Sequence, residues 1–196
     1  VLEELGGWNT STIAEDAEFA AQCARIGHRV WWVPDAVNYD EEPNSFLMSL
    51  RQRKRWCSGV MQVGKQELRR LWSADCPKPF LRWDISMFLM APFSQAVSGL
   101  LLLGSVLSSL AVGEEVTAVV ALCTLGLYYV GGVALSVLLC LLGGYALQGM
   151  TRTILLFPVF MASWLPLQVI SLFKDTRKWH AITHSGPATV AGYRAQ

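Results

Sequence analysis

From Ile85 onward the chain runs through three long apolar stretches, whereas polar and apolar residues before that point alternate with helical spacing. Ile85 to Val112, Val116 to Leu142 and Ile154 to Phe173 each have the length needed to cross a bilayer, roughly 20 residues. The first contains Pro92, the second carries no charge, and the third is interrupted by Pro158 and Pro166. Two prolines argue against a straight third span, because each removes a backbone donor and crowds the preceding turn. Ahead of the spans, the Glu42, Pro43, Asn44 and Ser45 turn opens a long helix from Phe46 to about Trp72. A 100° step places Phe46, Leu50, Cys57, Val60, Met61, Gly64, Leu68 and Leu71 on one stripe. Gln52, Arg55 and Trp56 fall on another face, centred about 130° away.

The first 45 residues predict a different architecture. Ser11 or Thr12 caps a helix whose first turn holds Glu15, Asp16 and Glu18, acids favoured at that end by the peptide dipoles. Ala17, Ala20, Ala21 and Ala24 give it a small-residue face suited to close packing on a sheet, and Gly27 stops it. Val30 to Val33 reads as a short strand ended by Pro34, with Ala36 to Tyr39 as a second. Four segments result: a soluble part over 1–45, an interface helix region over 46–82, membrane helices over 83–173 and a tail over 174–196.

Composition narrows the class. At 53% hydrophobic the chain is too apolar for an ordinary soluble domain, and its net charge of +1 supplies no basic stripe for nucleic acid. Five cysteines form no C-x-x-C pair, so neither a disulfide framework nor a zinc knuckle is indicated. His180 and His184 have no carboxylate or thiol at matching spacing, which disfavours a metal site there. Arg51, Arg53, Lys54, Arg55, Arg69 and Arg70 precede the first span, so the positive-inside rule puts residues 1–82 in the cytoplasm. Lys174, Arg177 and Lys178 oppose a complete third crossing. Either that segment is broken or re-entrant with a cytosolic tail, or the tail's charge bias is overruled. Arg53 and Lys54 are expected to face lipid headgroups. Trp31 and Trp32 are expected to pack.

Two motifs carry chemistry: the acidic pair Glu15 and Asp16, and the Q-x-x-R-W spacing of Gln52, Arg55 and Trp56. Together, upstream of apolar spans, they resemble family 2 glycosyltransferases, in particular the membrane-embedded synthases of cellulose, chitin, hyaluronan and poly-N-acetylglucosamine type. The resemblance implies an α/β remnant of a GT-A-type glycosyltransferase domain followed by an α-helical transmembrane region. It implies Asp16 as the catalytic base, with Glu15 supporting the local fold. Gln52, Arg55 and Trp56 would then bind the donor pyrophosphate and the acceptor. Gly6, Gly7 and Trp8 look like the loop that leads into the catalytic helix. Lys178, Trp179, His180, Thr183 and His184 resemble a tail that returns to the catalytic mouth, off by one residue in spacing.

The reaction implied by the resemblance is inverting, processive transfer of a sugar from a nucleotide sugar, a UDP-sugar, to a growing polysaccharide at the plasma membrane. Mg²⁺ or Mn²⁺ would be bound by a D-x-D motif that these residues lack. The chain opens at Val1 and reads as the C-terminal portion of a longer enzyme, so this fragment alone is expected to be inactive. The alternatives are non-processive transfer to a lipid acceptor, and an inactive membrane fragment or partner subunit.

Overall fold

The computed structural model describes residues 1–38, 40, 42–73, 77–113 and 115–174. The tail motif from Lys178 to His184, with the two histidines weighed for a metal, lies outside the described residues. Among the described residues six helices occur in the order α1 (Glu15–Arg25), α2 (Phe46–Ser73), α3 (Pro79–Val112), α4 (Glu115–Leu142), α5 (Thr151–Ala162) and α6 (Trp164–Phe173).

Among the described residues there is no strand, and the one expected at Val30 to Val33 does not form. Val30, Trp31, Trp32 and Val33 are all exposed, Trp32 at 85%. A β run needs a neighbouring strand to take its backbone hydrogen bonds. None lies beside this one among the described residues. The alanine face of α1 packs on helices instead of a sheet: Ala14, Ala17 and Ala21 join Val63 of α2 and Leu89 of α3 in one core cluster. Ala24, Leu71 and Leu81 form a second. Glu67 of α2, 1% exposed, ties the layers further, with Arg25 of α1 at 3.4 Å and Arg70 at 2.7 Å. Gly27 ends α1 as its sequence predicts, with a φ of 82°.

Helix α2 matches its expected bounds to within a residue and packs on α1, α3 and α6. Ser45 starts it, its Oγ accepting from the Met48 amide at 3.3 Å, an N-cap bond. Pro79–Ser109, Ala118–Leu142 and Thr151–Phe173 are long and apolar enough to cross a membrane. Helix α3 begins at Pro79 rather than Ile85, and runs unbroken through Pro92. The third apolar segment divides at Ser163 into α5 and α6. The cause is Pro166, which lacks the N–H that would bond the Ala162 carbonyl in a continuous helix.

Helix α6 is held by polar contacts spaced along it: Ser163 to Arg53, the Gln168 amide to Gln95, and Ser171 Oγ to Ser58 Oγ at 3.3 Å. In an apolar medium such bonds stand in for the missing hydrophobic drive between helices.

Candidate functional site

The acidic pair sits on a helix start organised by its neighbour Glu18. This carboxylate, 2% exposed, accepts the Ser11 and Thr12 amides at 2.9 and 2.8 Å and the Ser11 hydroxyl at 3.3 Å. Ser11 and Thr12 therefore do not cap α1 with their side chains; Ala14 is the N-cap residue, and the loop is bound by Glu18 reaching back. Burial pushes the Glu18 carboxyl up, but the bonds from Thr12 and Ser11 outweigh it and hold it below the usual glutamate value. A lowered pKa stabilises the folded loop above the ordinary value of 4.5, and that contribution is lost as pH falls through the folded value. Amide exchange at Ser11 and Thr12, referenced to intrinsic rates, is expected to stay protected at neutral pH and to lose protection below about pH 4.5. A Glu18→Gln protein is expected to lose it already at pH 7.

The side chains of Glu15 and Asp16 are exposed, and Asp16 Oδ1 accepts the Ala17 amide at 2.7 Å. Trp8, from the loop before α1, stacks on Phe19 with ring centroids 4.3 Å apart.

Helix α2 carries the second motif. Gln52, Arg55 and Trp56 lie within about 60° of Gly59 around the helix, on one side of it. Gln52 and Arg55 are half-buried and have no hydrogen-bond partner among the described residues. A Cβ on Gly59 would stand 2.7 Å from Ala14 Cβ and 3.2 Å from the Ala14 amide nitrogen. Only glycine admits the start of α1 this close to α2. That contact joins the acidic pair's element to the motif's element, one turn beyond Arg55 and Trp56. Because the nearest atom, the Ala14 Cβ, is fixed to the backbone and cannot swing aside, Gly59→Ala is expected to displace the α1 start, while α2 stays helical because alanine is the better helix former. Circular dichroism checks the helix, and amide exchange at Ser11 and Thr12 checks the displaced start.

Arg53 does not face lipid headgroups. It is 2% exposed, inside the contact between α2 and the break of the third segment. The expectation rests on charge alone, and tertiary packing overrides it. Cys57 is also buried, which pushes its thiol up to about 11 despite the Arg53 charge nearby, so it stays protonated at neutral pH.

Trp56 borders a cavity of about 830 Å³ between α2, α3, α4 and the α5–α6 break. Its wall is mainly apolar, including Val60, Phe88, Leu125 and Leu165. Several polar lining groups are already spent: Ser94 Oγ donates to the Ala91 carbonyl and Thr124 Oγ1 to the Val120 carbonyl, and Gln168 donates to Gln95.

A family model described as Glycosyl transferase family group 2 matches residues 1–168, which takes in the acidic pair, the Q-x-x-R-W helix and most of the apolar helices. The chain belongs to this family. It is similar to the probable glycosyltransferase YdaM of Bacillus subtilis (strain 168), 34% identical over 63 residues, which is 32% of this chain. The match covers only 15% of YdaM's length. No solved structure matches.

For this family 2 glycosyltransferase, the structure sets the two sequence motifs on packed helices and places Trp56 at the cavity between the apolar helices. Gly59, Arg53 and Trp164 are not singled out for the site by sequence reasoning. The available signal is Gly59 lying one turn after the motif and Trp164 lying between Ser163 and Leu165, two residues before Pro166. Among the described residues no group of three His, Cys, Asp or Glu side chains is gathered to hold a metal.

Proposed function

We propose that the intact protein is an inverting, membrane-embedded glycosyltransferase that moves a sugar from a nucleotide sugar, a UDP-sugar, to a polysaccharide growing at the plasma membrane, with residues 1–82 on the cytoplasmic side. The observation that carries this reading is the Gly59 contact, which joins the acidic pair's helix start to the side of α2 bearing Gln52, Arg55 and Trp56. YdaM's description as a probable glycosyltransferase is consistent with it.

In this reading the acceptor hydroxyl oxygen attacks the anomeric carbon as its proton passes to the Asp16 carboxylate. The bond from the anomeric carbon to the donor's phosphate oxygen breaks, and the nucleoside diphosphate leaves with the electron pair. Arg55 meets the charge that develops there, since a planar guanidinium matches phosphate oxygens two at a time. Trp56 offers a flat face to the acceptor ring, Gln52 hydrogen-bonds either partner, and Glu15 supports the turn. The Mg²⁺ or Mn²⁺ implied for the intact enzyme would be held by residues outside those described.

The apolar wall beyond Trp56 favours one second reading, an acceptor sugar carried on a lipid tail. Labelled nucleotide sugars, offered in a panel to membranes holding the full-length native protein, test both. Long water-soluble polymer supports the first reading, and a lipid-extractable product with a single added sugar supports the second. No incorporation above that of membranes lacking the protein would remove both, and incorporation equal to that of an Asp16→Asn control would remove Asp16 as the base.

A further inference from the structure

We infer that Arg53 docks the break of the third apolar segment onto the Q-x-x-R-W helix, and that this docking sets Trp164 beside Trp56 as a second aromatic wall of the acceptor site. The inference rests on the glycosyl-transfer reading above.

The anchor is a buried cation without a counter-ion. Arg53 Nη1 donates to Ser163 Oγ at 2.6 Å and to the Phe160 carbonyl at 3.2 Å, and its Nε donates to the Ser49 carbonyl at 3.3 Å. Its guanidinium carbon lies 4.1 Å from the Phe160 ring centroid, 5.5 Å from Trp164 and 5.7 Å from Phe46. No carboxylate pairs with it among the described residues, and its Nη2 has no partner there. Burying an unpaired charge is costly, so the oxygens and ring faces at the break are what keep it folded inward. The break supplies those oxygens: Phe160 lies one turn before Trp164, and its carbonyl is turned toward Arg53 where the helix is interrupted.

The geometry then joins the two helices twice. Arg53 and Trp56 are three residues apart on α2, and Ser163 and Trp164 are adjacent at the start of α6. Arg53 holds Ser163, while the Trp56 and Trp164 rings stack with centroids 6.5 Å apart and planes 21° from parallel. Two ties fix the rotation of α6 about its own axis relative to α2. Both indoles border the cavity, Trp56 at 45% exposure and Trp164 half-buried. Sugar rings lie against flat aromatic faces through their C–H groups, so two nearly parallel indoles extend the surface that Trp56 offers alone. Arg53 touches no substrate in this arrangement. It is a positioning residue acting through Trp164.

The test uses membranes with the full-length native protein and the donor found in the panel. Two quantities are read: donor KM, and the ratio of nucleoside diphosphate released to sugar incorporated. That ratio rises when water replaces the acceptor hydroxyl at the anomeric carbon and the sugar is released free. Neither quantity depends on how much protein folds. Trp164→Leu is expected to leave donor KM within about twofold and to raise the ratio roughly tenfold, while Trp164→Phe stays near native, as for loss and retention of an aromatic contact. Arg53→Met is expected to reproduce the leucine variant, and Arg53→Lys to recover part of the loss. The Arg53→Met, Trp164→Leu double variant is expected to be no worse than the poorer single, because the two act in series. An unchanged ratio in Trp164→Leu, additive effects in the double variant, or total loss in Arg53→Met beside a native-like Trp164→Leu overturns the proposal while leaving sugar transfer standing. No incorporation by the unmodified protein with any donor sinks the transfer reading, and this proposal with it.

Discussion

Membranes carrying the Asp16→Asn protein are expected to incorporate sugar about 10²–10⁴-fold more slowly than native membranes, the usual range for loss of a general base. Asparagine keeps the size of the side chain and the oxygen that accepts the Ala17 amide at 2.7 Å, so the local bond survives. In the proposed reaction, what it loses is the capacity to take the acceptor's proton. Asp16 is exposed at a helix N-terminus, where a surface charge contributes only about 0.3–1 kcal/mol to stability, too little to explain such a loss by unfolding. The deficit should therefore fall on kcat, with donor KM within about twofold. A variant retaining a tenth or more of the native rate would remove Asp16 as the base and turn attention to Glu15.

Arg55→Ala is expected to cost about 10²–10³-fold in kcat/KM for the donor, comparable with removing one preorganised group that meets transition-state charge. Arg55 is half-buried and lacks a described partner, so its removal breaks no internal bond that would confuse the result. Arg55→Lys should recover only part of the activity, since an ammonium supplies charge without the two-pronged fit. Inhibition by added nucleoside diphosphate distinguishes this role from a structural one. It should weaken in Arg55→Ala and remain unchanged in Asp16→Asn. Native inhibition in the alanine variant would place Arg55 away from the leaving group.

Much of the helical scaffold is legible in the sequence because its signals are local. The Phe46 start of α2 follows from the turn over Glu42 to Ser45, and its length from the periodic stripe, so bounds and observation differ by one residue. The division of the third segment is legible in Pro158 and Pro166, though its position at Ser163 requires the structure. The strand expected at Val30 to Val33 fails for the opposite reason: β structure depends on a partner remote in sequence, and none adjoins these residues among those described. Helix α1 forms as expected, but its capping differs, because Glu18 turns back to the Ser11 and Thr12 amides where a hydroxyl cap is expected.

By itself, the sequence determined that apolar helices long enough to span a bilayer come after an amphipathic helix carrying Gln52, Arg55 and Trp56, and that an acidic pair precedes them. Length, period and residue chemistry are properties of short stretches, so they survive without knowledge of the rest of the chain. Only the tertiary structure decided which faces meet. Charge alone sends Arg53 to the membrane surface; oxygens and rings from residues more than a hundred positions away bring it inside. Gly59 is inconspicuous as a letter and decisive as a contact, because the Ala14 Cβ and amide it must admit belong to the start of another helix. Burial and close approach are sums over distant neighbours, and the chain acquires them only on folding.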